Sequence, residues 1–351
     1  MPLLHASFRI LIGLLPVFAL LLALILLDSF KLVKLRTVAG LIAAGGLAAI
    51  ASLVVNSELG SSFDLDATAF VRYIAPITEE LLKSAVIIYL IARHRVAFLV
   101  DAAIIGFAVG AGFAAVENIH YFVALEENGV ALWVVRGFGT ALMHGSVSAM
   151  MAIISRQLVD AHGGASLWVF LPGLALATAL HSAFNHFFIA PTLTTVLILV
   201  VLPVFFVTVF HFSETRTREW LGTGFDTDAE LLESITAGRA SDSRIGAYLA
   251  DLRERFPPST VVDMVCLLRL RLELSIRAKG LLLAREAGLP VVVGPDVRAN
   301  LEELRYLEKA IGKTGLLAMK PIQRQSSRDL WKIHVLAEAE ASDTRSSNRP
   351  S

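Results

Sequence analysis

Cysteine is nearly absent from this chain: Cys266 is the only one in 351 residues, so no internal disulfide can form. A net charge is absent as well, because 31 basic side chains balance 31 acidic ones. A strongly basic surface is therefore not indicated, and we expect no nucleic-acid partner. Apolar residues are abundant instead: they make up 55% of the chain, against about 45–50% in soluble domains.

The apolar residues are concentrated in the first 213 positions, in runs long enough to cross a membrane. A helix needs about 20 residues to span the hydrocarbon core. We predict membrane spans at roughly 8–28, 37–55, 67–92, 98–123, 131–155, 167–189 and 192–213. The sequence thus predicts an all-α protein: a polytopic transmembrane helix bundle of about seven spans, followed by a C-terminal helical cytoplasmic module.

The short segments between the spans differ in their basic residues. The odd-numbered segments and the one after the last span carry Lys31, Lys34, Arg36, Arg93, Arg95, Arg156, Arg216 and Arg218. The even-numbered segments have no lysine or arginine. Basic loops stay in the cytoplasm. We therefore expect an integral protein of the cell membrane, with its N-terminus outside and its C-terminus in the cytoplasm.

Composition also divides the chain along its length. Residues 1–213 form the predicted transmembrane bundle, and the acidic, polar residues 214–243 are interpreted as a linker. Residues 244–341 show helical periodicity without a metal, phosphate or nucleotide motif, so we interpret them as a regulatory or structural module. The polar residues 342–351 are predicted to be a disordered tail.

The third span contains the charged sequence Glu79-Glu80-Leu81-Leu82-Lys83. Ionisable groups in a bilayer are costly and usually mark a functional site. Lys83 lies one helical turn from both acids, so an internal ion pair can form. A structural ion pair accounts for one acid, but the second adds a desolvation cost without a second adjacent cation. The pair therefore indicates chemistry rather than scaffolding alone.

Three later spans add polar groups that can join these acids. Glu117 lies in the fourth span, and His144 lies in the fifth. The sixth span contains His181 and Asn185, which share one helix face because they are four residues apart. The spacing of these groups on adjacent spans predicts one polar site inside the bundle.

Three of these motifs, in this order, resemble the PrsW family of intramembrane proteases: Glu79-Glu80-x-x-Lys83, Phe113-x-x-x-Glu117 and His181-x-x-x-Asn185. That family is related to the CAAX-processing and bacteriocin-processing membrane proteases. The resemblance covers roughly residues 65–190. It implies cleavage of membrane-anchored substrates, with single-pass proteins such as anti-sigma factors as partners.

The resemblance also implies roles for the site residues. Either Glu79 or Glu80 is the general base that activates water, and its neighbour sets its charge together with Lys83. Glu117 helps to position the water. The resemblance further implies that His181 and Asn185 donate hydrogen bonds to the tetrahedral oxyanion. His144 is outside the three motifs, and its place in the fifth span suggests a supporting position.

A metal-free mechanism is the favoured expectation for this site, because the chain contains no HExxH motif. Zinc stays open as an alternative cofactor, since it accepts histidine and carboxylate ligands. In that case we expect the ligands to come from Glu80, Glu117, His144 and His181, with Glu79 as a further carboxylate at the same site.

Two other functions remain compatible with the residues. Buried glutamate, histidine and lysine also form the proton relays of transporters and channels. A non-catalytic membrane scaffold that recruits partners through the C-terminal module is the second alternative. It leaves the cost of several buried charges unexplained, so the proteolytic interpretation is preferred.

Overall fold

The computed structural model describes residues 2–63, 66–124, 130–239, 244–289, 296–322 and 336. The chain divides into two compact units, Met1–Glu214 and Thr215–Ser351. All regular secondary structure among the described residues is helical and none of it is strand, which confirms the all-α prediction. The predicted tail at 342–351 lies outside the described residues.

Helices of the first unit follow one another with short connections. They are α1 Pro2–Leu27, α2 Leu35–Phe63, α3 Ala67–Ala69, π1 Phe70–Ile74, α4 Ala75–Ala92, α5 Leu99–Ala124, α6 Val130–Val135, π2 Arg136–Ala141, α7 Leu142–His162, α8 Leu167–Asn185 and α9 Pro191–Thr236. Two of them, π1 and π2, are π-helical turns inside longer helices. Such turns are rare and occur frequently at functional sites.

Five of the described helical segments are long and apolar enough to cross a membrane: Leu35–Ser62, Leu99–Ala124, Val130–His162, Leu167–Asn185 and Pro191–Thr236. Helix α1 adds a shorter apolar stretch, Leu11–Leu27. The remaining segment, α3–π1–α4, carries charged side chains between Arg72 and Lys83, which lower its hydropathy. Together these segments agree with a bundle of about seven spans.

Helix α5 forms the centre of the bundle, with every residue from Val100 to Ala114 buried. Glycine permits its close approach to α7: a methyl group at Gly106 would lie 2.4 Å from the backbone oxygen of Ser148. At Gly110 it would lie 2.2 Å from that of His144. Small residues allow such close helix packing in membranes. The contact fixes α5 and α7 at a short distance, and both helices carry site residues.

A second polar cluster lies at the start of α5, away from the predicted site. Asp101 accepts hydrogen bonds from the backbone nitrogens of Ala97 and Phe98, at 3.3 and 3.0 Å. The buried Arg156 donates to the Ala97 carbonyl at 3.1 Å and pairs with Asp160 at 2.8 Å. These contacts satisfy the helix N-terminus and one buried guanidinium, so this cluster is explained by structure.

The second unit contains the C-terminal part of α9 with α10 Arg244–Leu252, α11 Pro258–Glu286 and α12 Asp296–Met319. Residues 214–236, which the composition suggests are linker, continue helix α9. Buried leucines of α11 pack against α12, and Arg271 pairs with Glu308 at 2.7 Å between them. Within this unit Lys279 is buried and pairs with Asp228 at 2.8 Å.

Candidate active site

Four helices bring acidic, basic and imidazole groups together inside the bundle. Helix α4 contributes three of them and α5, α7 and α8 contribute one each: Glu79, Glu80, Lys83, Glu117, His144 and His181. All six were singled out by the sequence. The two π-helical turns come shortly before Glu79 and His144 in the chain. The site therefore lies where the regular helix hydrogen bonding of two elements is interrupted.

Glu80 is held by two partners from different elements. The ammonium of Lys83 donates to its Oε1 at 2.5 Å, and Nδ1 of His181 lies 2.8 Å from the same oxygen. The side chains of Glu80 and Lys83 are 1% and 0% exposed. Charge-assisted hydrogen bonds of this kind fix the orientation of both partners. Glu80 therefore acts on the orientation of His181.

Glu79 makes looser contacts than its neighbour and is 14% exposed. Its Oε2 lies 3.8 Å from Nε2 of His181, and its Oε1 lies 3.5 Å from the side-chain nitrogen of Asn56. The 3.8 Å between Oε2 of Glu79 and Nε2 of His181 allows a third atom to contact both of them. Of the two adjacent acids, Glu79 has the carboxylate oxygen that remains accessible for chemistry.

His144 lies between two charged groups. Its Nδ1 is 3.1 Å from the ammonium of Lys83, and its Nε2 is 2.9 Å from Oε2 of Glu117. An ammonium only donates and a carboxylate only accepts. When Lys83 is charged, Nδ1 of His144 therefore accepts and Nε2 donates to Glu117. The rings of His144 and His181 meet edge to face, with centroids 4.8 Å apart.

Arg136 is a site residue that the sequence analysis missed. It lies in π2, and its Nη2 is 3.4 Å from Oε1 of Glu117. The signal was present, since an arginine inside the apolar span 131–155 is as costly as the acids that were singled out. Its position near the start of that span made it resemble an interfacial residue.

The side chain of Asn185 contacts π1, whereas the other predicted site residues contact one another. Its side-chain nitrogen donates to the backbone oxygen of Val71 at 2.9 Å, and the hydroxyl of Ser182 donates to that of Arg72 at 2.6 Å. Both acceptors belong to π1, where helical hydrogen bonds are displaced. In this arrangement Asn185 links α8 to π1, and its predicted oxyanion role stays a prediction.

Three residues could hold a metal ion: among the described residues, Glu79, His144 and His181 each place one ligand atom within 4.8 Å of the others. Two histidines and one glutamate are a known ligand set of catalytic zinc. His181 fits best, because its Nδ1 contacts a carboxylate, as is usual for metal-bound histidine, and its Nε2 faces Glu79. For His144, an ion at Nε2 would replace the proton now shared with Glu117.

The predicted ligand set differs from this group in its acids. It contains Glu80 and Glu117, and the structure pairs each of these with a histidine nitrogen. Glu79, which was treated as a further carboxylate, is the acid that groups with the two histidines. The donor types and their proximity fit a metal of the zinc class, with Glu80 orienting His181.

The described residues form a helix bundle with carboxylates and histidines buried among membrane-spanning segments, which defines an integral membrane protein with a polar site inside the bundle. The sequence model of the PrsW family intramembrane metalloproteases matches residues 33–210, half of the chain. The chain therefore belongs to the PrsW family and is a membrane peptidase, as predicted. Comparisons with curated proteins and with solved structures gave no match.

The family description corrects one expectation about cofactors. The preference for a metal-free mechanism conflicts with a family of metalloproteases, whereas the zinc alternative agrees with it. The absence of HExxH misled the interpretation, because that motif places both histidines on one helix. Here His144 and His181 come from different helices, so no short motif records their proximity.

Proposed function

We propose that this protein hydrolyses a peptide bond in membrane-anchored substrates, such as single-pass proteins of the anti-sigma-factor type, at the carboxylate of Glu79. One observation carries the choice of Glu79. Its neighbour Glu80 is already bound by Lys83 and His181, whereas Oε2 of Glu79 faces Nε2 of His181 at 3.8 Å. A general base must be free to contact the water that it activates.

In the proposed reaction, Glu79 accepts one proton from water while the water oxygen bonds to the carbonyl carbon of the substrate. The same proton then passes to the amide nitrogen as the carbon–nitrogen bond breaks. Glu80 and Lys83 keep the imidazole of His181 in a fixed orientation throughout. The products are a carboxylic acid and an amine, which become a carboxylate and an ammonium ion when the acid's proton passes to the amine, so atoms and charges balance with water as the only co-reactant.

We further propose that His144, His181 and one carboxylate oxygen of Glu79 hold the metal that the family description implies, which leaves the second oxygen of Glu79 to accept the proton of water. A zinc ion supplies Lewis-acid polarisation of the scissile carbonyl when it is bound. Glu80 then serves to orient His181, whereas Glu117 contacts Nε2 of His144, the nitrogen whose proton the ion would replace. Partners of metal-bound histidines fix the ring orientation and raise the basicity of the ligand.

The developing oxyanion needs donors, and Asn185 remains a proposed one. His181 can be a donor only while its Nε2 carries a proton instead of a metal ion, since its Nδ1 contacts Glu80. For Asn185 this requires its amide to leave the Val71 carbonyl when substrate binds, which its half-buried position and the exposed hydrogen bond permit. A donor of this kind acts mainly in the transition state. The proposal is therefore open to a kinetic test, given in the Discussion.

The orientation in the cell membrane is also a proposal. The basic residues of alternate connections support an external N-terminus and a cytoplasmic second unit. We propose a regulatory or structural role for that unit, since no group of potential metal ligands was found in its described part. Truncation after Thr236 should leave cleavage activity in the bundle.

The decisive experiment uses the full-length protein purified in detergent, with candidate single-pass substrates and no membrane gradient. Wild type should cleave, and Glu79→Gln should abolish cleavage because an amide cannot accept the proton of water. Glu58→Gln is the matched control, since Glu58 is an exposed glutamate of α2. Wild type and this control should have equal rates.

A transporter would behave differently in the same experiment. It would cleave none of the candidate substrates, while liposomes containing it would pass protons or solutes, and Glu79→Gln would stop that flux. This combination of results would reject the proteolytic function. Cleavage that persists in Glu79→Gln would reject only the assignment of the base.

A further inference from the structure

Arg136 makes three different contacts around one guanidinium group, and its side chain is 11% exposed. Its Nε donates to Oδ1 of Asn118 at 2.9 Å. Its Nη2 lies 3.4 Å from Oε1 of Glu117 and has no hydrogen-bond partner among the described residues. Its Cζ lies 3.9 Å from the centre of the Tyr121 ring. A planar guanidinium can satisfy a carboxylate, an amide and an aromatic face together, whereas an ammonium cannot.

The contacts continue from Asn118 to the first helix. The side-chain nitrogen of Asn118 donates to the backbone oxygen of Gly13 at 2.8 Å. The backbones of α1 and π2 are themselves close, because a methyl group at Gly137 would lie 2.0 Å from the oxygen of Ile12. Helix α1 lies outside the family match at 33–210. A continuous set of contacts therefore joins this helix to the active site.

The two oxygens of Glu117 have separate partners. Oε1 faces Arg136, and Oε2 accepts from Nε2 of His144 at 2.9 Å. A carboxylate on a glutamate side chain can rotate about its last bond, which is a soft torsion. The guanidinium restricts this freedom, because any rotation short of a half turn would break both contacts. Arg136 thereby holds the plane of the Glu117 carboxylate in the orientation that meets His144.

We infer that Arg136 is a positioning residue for hydrolysis, acting through Glu117 on His144, with its own place set by Asn118 and the Gly13 carbonyl of α1. This inference rests on the proposed function. A purely structural arginine would stabilise the bundle and affect activity only through the amount of folded protein. If Arg136 acts by positioning Glu117, replacing Arg136 should have little effect on the rate once Glu117 has been replaced as well.

The test is a double-mutant cycle on cleavage by the full-length protein, with Arg136→Gln, Glu117→Gln and the double variant. Cleavage is measured with enzyme in excess over substrate, so that slow variants give a rate. We expect Arg136→Gln to lower kcat about 10–100-fold, as loss of a partner of an active-site histidine typically does, and to leave KM nearly unchanged. In the Glu117→Gln background the same change should cost less than about threefold, because residues that act as a unit are not additive.

Two further variants keep the result interpretable. Arg136→Lys retains the positive charge but not the planar, multiply donating guanidinium. If Arg136 positions Glu117, this variant should therefore recover part of the kcat that Arg136→Gln loses. Arg156→Gln is the matched control, since it removes another buried arginine from the same helical segment, at the cluster with Ala97 and Asp160. Its effect on the rate per folded molecule should be small and equal in both Glu117 backgrounds.

The possible results separate the two claims. An equal loss for Arg136→Gln with and without Glu117, or a loss confined to KM, would overturn the positioning role while wild-type cleavage keeps the proposed function. Absence of cleavage by wild type would instead reject the proposed function. Non-additive rates with rescue by lysine would support the inference.

Discussion

Nδ1 of His181 lies 2.8 Å from Oε1 of Glu80, and the same oxygen accepts from the ammonium of Lys83. This arrangement gives the two adjacent acids of α4 different tasks. Glu80 fixes the histidine and balances the buried lysine, and Glu79 remains accessible. The consequences for stability and for rate can be measured separately.

Removing the charge of Glu80 should destabilise the bundle. Glu80→Gln leaves Lys83, which is 0% exposed, without its anion, and breaking a buried pair typically costs about 3–5 kcal/mol. Lys83→Met should cost a similar amount for the converse reason. The double variant should recover much of the stability, since neither charge is then left alone. Thermal unfolding in detergent checks this, and two additive losses would contradict the pairing.

Asn185 and Ser182 form a matched pair for testing the oxyanion role. Both side chains donate to backbone oxygens of π1, so either change weakens the same contact between α8 and π1. If Asn185 also stabilises the transition state, Asn185→Ala should lower kcat about 100–1,000-fold. Ser182→Ala should have a much smaller effect. Equal effects of both variants on kcat would show that Asn185 is structural.

A methyl group at Gly110 should disturb the site without touching any of its side chains. It would meet the backbone oxygen of His144 at 2.2 Å, so α5 and α7 would have to separate. Overpacking of this kind typically costs about 1–3 kcal/mol, and cleavage should fall as Glu117 moves from His144. Gly60→Ala is the control, because nothing lies within 4 Å of a methyl group there. Unfolding temperature and cleavage rate are the readouts.

Metal dependence is measurable independently of activity. Wild-type protein purified in zinc should retain about one ion per chain, by elemental analysis, as a three-ligand site predicts. His181→Ala and Glu79→Ala should lose it. Treatment with a strong chelator should stop cleavage, and added zinc should restore it. Full activity in metal-depleted protein would instead support a metal-free mechanism.

Topology can be read from reporter fusions placed in the connections. Fusions after residues 65, 95, 127 and 238 should report outside, inside, outside and inside, following the basic residues of the loops. The site at 238 lies beyond α9, so the whole helix is retained. An external signal from this fusion would contradict the seven-span arrangement.

The chemistry of the site was largely predictable from sequence, because ionisable groups in apolar spans are conspicuous. The different roles of Glu79 and Glu80 were not predictable from sequence. Successive helical residues point about 100° apart, so the rotation of α4 decides which acid meets His181. That rotation depends on packing against other helices and leaves no local signal.

The position of Asn185 shows a second limit. Residues His181 and Asn185 share a helix face, as predicted, but one turn separates them by about 5.4 Å along the axis. Asn185 is therefore level with π1, while His181 is level with Glu80. The π-helical turns could not be predicted, since a polar or apolar periodicity of 3.6 residues does not reveal one inserted residue.

The C-terminal part of α9 shows a third limit of prediction from sequence. Residues 214–236 are acidic and polar, which is typical of a linker, yet they are helical. This segment continues from a helix that is already formed, so it avoids the costly nucleation step, and Thr217 and Leu221 are buried on one face of it. Composition alone does not distinguish these two cases.

The pairing of charges across the described site also leaves an imbalance. Lys83 neutralises Glu80, and Arg136 neutralises Glu117, so four of the five formal charges cancel. Glu79 remains, and it is the acid that lies beside the free nitrogen of His181. Inside a hydrocarbon layer an uncompensated anion attracts a cation strongly. Whenever Glu79 is ionised, the described site therefore lacks one positive charge, beside Nε2 of His181.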